Sequence, residues 1–148
     1  MVSARPVALE ELPGTYSIHR LQPTNSSATT AVIAKIIEQP TTLFALLKSP
    51  DELSLVCDES WNEKLAADVD DTSGPWRAMR VVGELDFALT GILASLTAPL
   101  AQAGIPVFAV SSYTTDYLLV NADNAESARH ALTQASFTVE PYKAIPKQ

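Results

Sequence analysis

Two rhythms of apolar residues run along this chain. In residues 76–82, Met79 and Val81 alternate with Arg80 and Val82, the period of two expected of a half-buried strand. Across 90–103, Ile92, Leu96 and Leu100 recur at helical spacing with Leu93 beside them, and Gly104 supplies a left-handed stop. Pro99 removes one backbone donor inside that helix, so a loosened turn is expected near Ser95. Residues 105–110 and 117–120 are rich in β-branched and aromatic side chains, and the polar stretch 111–116 between them predicts an antiparallel hairpin. Asp123 stands where it would cap a second helix, with Glu126 as its capping-box partner and Ala125, Ala128, Ala131 and Leu132 as the apolar face. Residues 137–139 supply a fourth strand.

The resulting order, βαββαβ, predicts an α+β, ferredoxin-like unit: an open antiparallel sheet with both helices on one face. The first half repeats the pattern in abbreviated form. A strand at 15–21 is followed by a polar break at 22–30, a short helix near 31–38, and a hairpin of 42–47 and 53–57 turned at 49–52. Residues 62–75 hold Asp68, Asp70, Asp71, Ser73 and Gly74, a solvated composition that suits a linker. The expected organisation is therefore a unit over 1–61, a linker over 62–75 and a second unit over 76–148, with Trp61 and Trp76 flanking the linker and sealing the halves. The acidic run lacks the glycine and closing glutamate of a calcium loop, so no metal is expected there.

Composition narrows the function. With 148 residues and 47% hydrophobic content, the chain can build a substantial core. A net charge of −7 with ten scattered Lys and Arg argues against a nucleic-acid partner. No apolar run approaches the roughly 20 residues that span a bilayer, and the first residues lack the apolar core of a signal peptide, so a cytoplasmic protein without membrane attachment is expected. Cys57 is the only cysteine and sits at the end of a strand, a packing position. His19 and His130 have no partner in sequence and are expected at the surface. Ser111, Ser112, Thr114 and Thr115 offer hydroxyls with no histidine near them, so no activated nucleophile, and no cofactor, is predicted.

One segment offers binding chemistry. Backbone amides at Gly91 and Ile92 lie in the first turn of the helix, where they lack intrahelical acceptors and can meet a carboxylate with help from the helix dipole. Asp116, at the start of the strand beside that turn, can accept bonds from an ammonium or guanidinium group. The bland readings stand beside these: Asp116 as a cap of the 111–115 turn, Gly91 as a close packing position, Thr90 as an N-cap.

The stretch LDFALTGILASLTAPL at 85–100, the following GIPVFAVSSY and TDYLLV, and more weakly DELSLVCDE at 51–59, resemble the ACT-domain family, in particular tandem-ACT proteins related to the cytosolic arginine sensors called CASTOR and to the regulatory domain of aspartate kinase. The resemblance implies tandem ferredoxin-like ACT units that bind a free amino acid at an interface between two units. It places the ligand against the loop before the first helix and the hairpin strands, here Asp86, Phe87, Ala88, Leu89, Thr90, Gly91, Ile92, Pro106, Val107 and Asp116. In the arginine sensors an acidic residue stands two positions before the helix glycine; Leu89 occupies that place here. The expectation is a non-enzymatic amino-acid-binding regulatory protein, a homodimer or the companion of a partner regulatory protein. The alternative is an ACT-fold interaction module without ligand.

Overall fold

The computed structural model describes residues 7–24, 26–83 and 90–144. In chain order its elements are β1 (Ala8–Glu11), β2 (Tyr16–Leu21), α1 (Ser27–Glu38), β3 (Ala45–Lys48), β4 (Leu53–Asp58), α2 (Asn62–Leu65), β5 (Val69–Val81), α3 (Ile92–Gln102), β6 (Phe108–Ser111), β7 (Asp116–Asn121), α4 (Ala125–Gln134) and β8 (Thr138–Pro141). Short 3₁₀ turns flank α2 and precede α4. The chain divides into two compact units, Gly14–Trp76 and a second made of Met1–Pro13 with Arg77–Gln148.

The Gly14–Trp76 unit is a complete βαββαβ. Its strands lie in the order β3, β4, β2, β5, all neighbours antiparallel, with Tyr16 opposite Asp58 and Leu21 opposite Leu53 in the central pair. Leu53, Leu55 and Cys57 alternate along β4 into a core that takes Ile33 and Ile36 from α1 and Leu65 from α2. Burial, and then the neighbouring Asp58 charge, push the Cys57 thiol up to about 12, so it packs as a hydrophobe and stays protonated.

Residues 62–75 are therefore not a linker. They form α2, a 3₁₀ turn and the first part of β5, and Leu65 is buried. The polar composition that suggests a linker belongs to an outer strand of this unit, whose side chains at 70–75 are exposed while its backbone pairs with β2. Asp, Ser, Gly and Pro are depleted in strands generally, which hides such a segment. Gly74 permits a close approach here: a Cβ would lie 3.1 Å from the Tyr16 carbonyl oxygen. Trp61 packs against the core of this unit, and Trp76 donates its indole N–H to Ser73 at 3.1 Å within the same strand, so neither flanks a linker.

Helix α1 begins ahead of the expected position. Ser26 is its N-cap and accepts from the Thr29 amide at 3.2 Å, so the Ser and Thr run that reads as a polar break is the cap and first turn.

The other unit has the strand order β6, β7, β5, β1, β8. β1 lies between β5 and β8, antiparallel to the first (Leu9 opposite Val81) and parallel to the second (Leu9 opposite Val139). The unit expected over 76–148 thus incorporates a strand from before residue 13, and its sheet is not purely antiparallel. The four residues ALEE carry too little alternation to announce a strand in sequence. Leu9, Met79, Val81, Leu118 and Val120 turn one face toward Leu96 and Leu100 of α3 and Ala128 and Leu132 of α4. Each fully buried leucine there contributes about 1.5–3 kcal/mol of transfer free energy.

The ends of both helices differ in how well sequence announces them. At the end of α3, Gly104 has φ 71°, its amide bonds the Ala101 carbonyl, and the Ile105 amide bonds Leu100 at 2.9 Å, the paired closure expected of a glycine stop. The helix runs continuously through Pro99. Asp123, by contrast, does not cap α4: Asn121 caps the preceding 3₁₀ turn by accepting from the Asp123 amide at 3.1 Å, and α4 starts at Ala125 after an Asn124 without a capping bond. The extra turn displaces the helix beyond the reach of the expected box.

Candidate functional site

Three local structures converge at one end of the sheet of the second unit. β5 stops at Val81, and the Thr115 hydroxyl, immediately before β7, donates to the Val81 carbonyl at 2.7 Å. The short segment 103–107 ties the end of α3 to the start of β6, so α3 runs back along the sheet and its N-terminus faces the same end as Thr115 and Asp116.

Gly91 is the N-cap of α3, with φ 79° and ψ 0°, and makes no side-chain cap bond. The first intrahelical bond runs from the Ser95 amide to the Gly91 carbonyl at 2.9 Å, which leaves the amides of Ile92, Leu93 and Ala94 without intrahelical acceptors. Among the described residues, a Cβ on Gly91 would meet nothing within 4 Å. The left-handed backbone is one that residues with a Cβ adopt only at a cost, so glycine is required here by conformation and not by crowding. Thr90 is exposed and is not the cap.

Asp116 opens β7 opposite Ser111 of β6, and its Oδ1 accepts the Ser111 hydroxyl at 2.6 Å. The hairpin turn itself is closed by Ser112 and Thr115, whose backbone groups bond at 2.8 Å while the Ser112 hydroxyl accepts from the Thr115 amide. Asp116 is therefore not the group that caps the turn amides. Pro106 and Val107 lie at the other end of β6, about 15 Å from Ser111 at the usual strand rise, with Val107 packed on the core and Pro106 exposed. The structure thus places Gly91, Ile92 and Asp116 at the same end of the sheet, and Pro106 and Val107 at the other. Asp86, Phe87, Ala88 and Leu89 lie outside the described residues.

The Gly14–Trp76 unit holds a polar core that sequence reasoning missed. His19 is buried, contrary to its expected surface placement, while His130 is exposed. His19 Nε2 lies 3.0 Å from Asn62 Oδ1, Nδ1 lies 2.9 Å from the Thr72 hydroxyl, and Asn62 Nδ2 donates to the Ser17 hydroxyl at 2.9 Å. Since the Asn62 oxygen only accepts, Nε2 carries the proton and Nδ1 accepts from Thr72. Burial holds the imidazole below its ordinary pKa, and the Asn62 bond opposes this in part. The missed signal was alternation: His19 sits between Ile18 and Arg20 on a strand paired on both sides, where polar residues need strand partners that no local pattern reveals.

The acidic run is also accounted for locally. Asp68 accepts from the hydroxyls of Ser26 and Thr29, which hold its carboxyl below the usual range. Asp70 accepts from Gln22 at 2.5 Å, and Asp71 faces Arg20 at 3.9 Å. Among the described residues no group of three or more His, Cys, Asp or Glu could hold a metal ion, and no helix is long and apolar enough to cross a membrane.

Comparison with known proteins places this architecture. The ACT domain family matches residues 72–134. The human protein named Cytosolic arginine sensor for mTORC1 subunit 1 is 33% identical over 95 residues, which cover 62% of this chain and 29% of the sensor. The chain spans less than two thirds of the length of the curated relatives it matches. A crystal structure of a protein from Agrobacterium tumefaciens superposes with a TM-score of 0.76 at 26% identity, covering 98% of this chain and all of that one. The regulatory subunit of aspartate kinase from Thermus flavus gives a TM-score of 0.60 at 15% identity, covering 88% and 97%, a likeness of fold.

Proposed function

We propose that this protein, whose residues 72–134 match the ACT domain family, is a non-enzymatic, cytoplasmic regulatory protein that binds a free amino acid at an interface between ACT units. The observation that carries the reading is the uncapped start of α3. Gly91 provides no side-chain cap for the first-turn amides, and among the described residues nothing lies within 4 Å of where its Cβ would stand, at the end of the sheet where Asp116 begins β7. A zwitterion suits that pairing: its α-carboxylate meets the helix amides, and its ammonium or side-chain cation meets the Asp116 carboxylate. The relationship to a protein whose name describes an arginine sensor supports the ligand class. Ligand held between units would favour one arrangement of a homodimer, or of a complex with a partner regulatory protein, and a coupling of about 1–3 kcal/mol suffices for such a switch.

Thermal unfolding of the protein against each of the twenty amino acids tests this. A ligand of the native state at about 100 times its Kd adds roughly 2.7 kcal/mol of stability. A shift confined to one or a few amino acids is expected. No shift with any of them would leave the second reading, an ACT-fold interaction module whose site stays empty.

A further inference from the structure

At the opposite end of the same sheet a groove of about 640 Å³ opens where the strands β1, β5 and β8 run out beside α4. Leu12, Pro13 and Val139 give it an apolar lining. Its charged wall is Glu11 between two arginines: Arg77 Nη2 lies 2.7 Å from one carboxylate oxygen and Arg129 Nη2 lies 2.6 Å from the other. Burial alone would raise the Glu11 pKa, but the bonds and charges of Arg129 and Arg77 outweigh it and hold the carboxyl below its ordinary value. Glu11 is thus ionised at neutral pH, and two fixed cations face one anion. Arg129, the more exposed of the two, brings a cation to the mouth of the groove in a protein whose net charge is −7.

Strand alternation turns the neighbouring carboxylate of Glu10 to the other face of the sheet. Glu10 is paired in register with Arg80 on one side and Glu140 on the other, so these side chains share the sheet face opposite to Glu11, and Arg80 bonds Glu10 there at 2.6 Å. Glu140 also lines the groove, and its carboxylate lies 3.8 Å from Lys143. Arg129 is 44% exposed and spends one of its five donors on Glu11. A planar fork of this kind, half sheltered and beside apolar surface, is suited to a second carboxylate.

We propose that this groove binds a small organic acid, its carboxylate on the Arg129 guanidinium beside Glu11 and a short apolar body against Leu12, Pro13 and Val139. The site is independent of the α3 end: it uses side-chain cations where the other uses helix amides, and requires no ammonium group on the ligand.

Isovalerate and its uncharged amide, isovaleramide, separate the charge from the apolar body. Melting of the full chain at constant ionic strength should move upward and saturate with isovalerate, and not with isovaleramide. In Arg129→Gln, and in Arg129→Lys, which keeps a charge for Glu11 but loses the fork, the apparent Kd should rise at least tenfold. Circular dichroism and each variant's own melting curve establish that it is folded. Asp116→Asn should leave the isovalerate response unchanged. Equal responses to acid and amide, an unchanged response in both folded Arg129 variants, loss of the response in Asp116→Asn, or no saturable shift with isovalerate would each overturn the proposal.

Discussion

The two units begin their first helices in opposite ways. In the Gly14–Trp76 unit, α1 is closed: Ser26 caps it, the cap hydroxyl and Thr29 both donate to Asp68, and Thr29 is buried. In the other, α3 starts from a left-handed glycine that makes no side-chain cap bond, and among the described residues nothing lies within 4 Å of where its Cβ would stand. The same topological position is capped by a side chain in one unit and by a bare glycine in the other. At α1 the chain supplies its own acceptor, the Ser26 hydroxyl on the Thr29 amide, and Asp68 fixes that hydroxyl from outside, whereas at α3 no side chain of the cap residue does so.

That contrast holds only if the Gly14–Trp76 unit is as fully folded as its companion, and the largest expected effect tests this. Leu65 belongs to the segment whose composition suggests a linker, yet it is 1% exposed in the core with Ile36 and Leu55. Leu65→Ala should destabilise by about 2–5 kcal/mol, the range for a buried leucine, read from urea unfolding. A loss below about 0.5 kcal/mol, ordinary for a surface change, would return 62–75 to the status of a linker and dissolve the comparison.

Next in size is the effect at the open end. Asp116→Asn retains shape and an acceptor for the Ser111 hydroxyl while removing the charge. It should weaken binding of the best-stabilising amino acid by about 1.5–3 kcal/mol, the range for a hydrogen bond to a charged group, with little change in the stability of the unliganded protein. Calorimetric titration of both proteins measures it. Equal affinities would remove Asp116 from the site and leave only the helix amides.

The closed end should give the reverse signature. Ser26→Ala removes the cap of α1 and one of the two hydroxyls on Asp68, and should cost about 0.5–2 kcal/mol of stability with amino-acid affinity unchanged. A change in affinity without a change in stability would mean that α1 and not α3 carries ligand.

Legibility in sequence followed the reach of each interaction. The hairpin of β6 and β7, the spacing of Ile92, Leu96 and Leu100, and the Gly104 stop are local patterns, and each lies where the residues place it. The strand β1 was invisible, because its place between β5 and β8 is set by partners about 70 and 130 residues away in sequence and four residues carry too little periodicity. Asp68 was legible as acidic and solvated but not as the partner of Ser26, a contact across 42 positions. Likewise, Pro106 and Val107 follow from the resemblance as site residues, whereas the direction of β6 carries them to the far end of the sheet from Asp116.

The smallest effect concerns His19, which distinguishes the two units by pH. It is enclosed by Asn62 and Thr72, with Glu63, Asp70 and Asp71 along the adjoining groove and Arg20 beside Asp71, and burial keeps it neutral below its ordinary pKa. An unfolded chain protonates this imidazole near pH 6.5 while the folded protein does not, so the unfolded state binds more protons and stability falls as pH is lowered. The contribution is fully present above about pH 6.5 and is lost through the interval down to the lowered folded value. Glu11 and Asp68, whose folded pKa values are also lowered, lose their contributions only in the carboxylate range below about pH 4.5, which leaves the interval from 7 to 5 to His19. His19→Gln keeps one amide contact and cannot titrate; it should be less stable at pH 7 yet show a flatter stability profile between pH 7 and pH 5 than the parent protein. Parallel profiles, measured by urea unfolding at half-unit intervals, would mean that the buried imidazole is not the source of the slope.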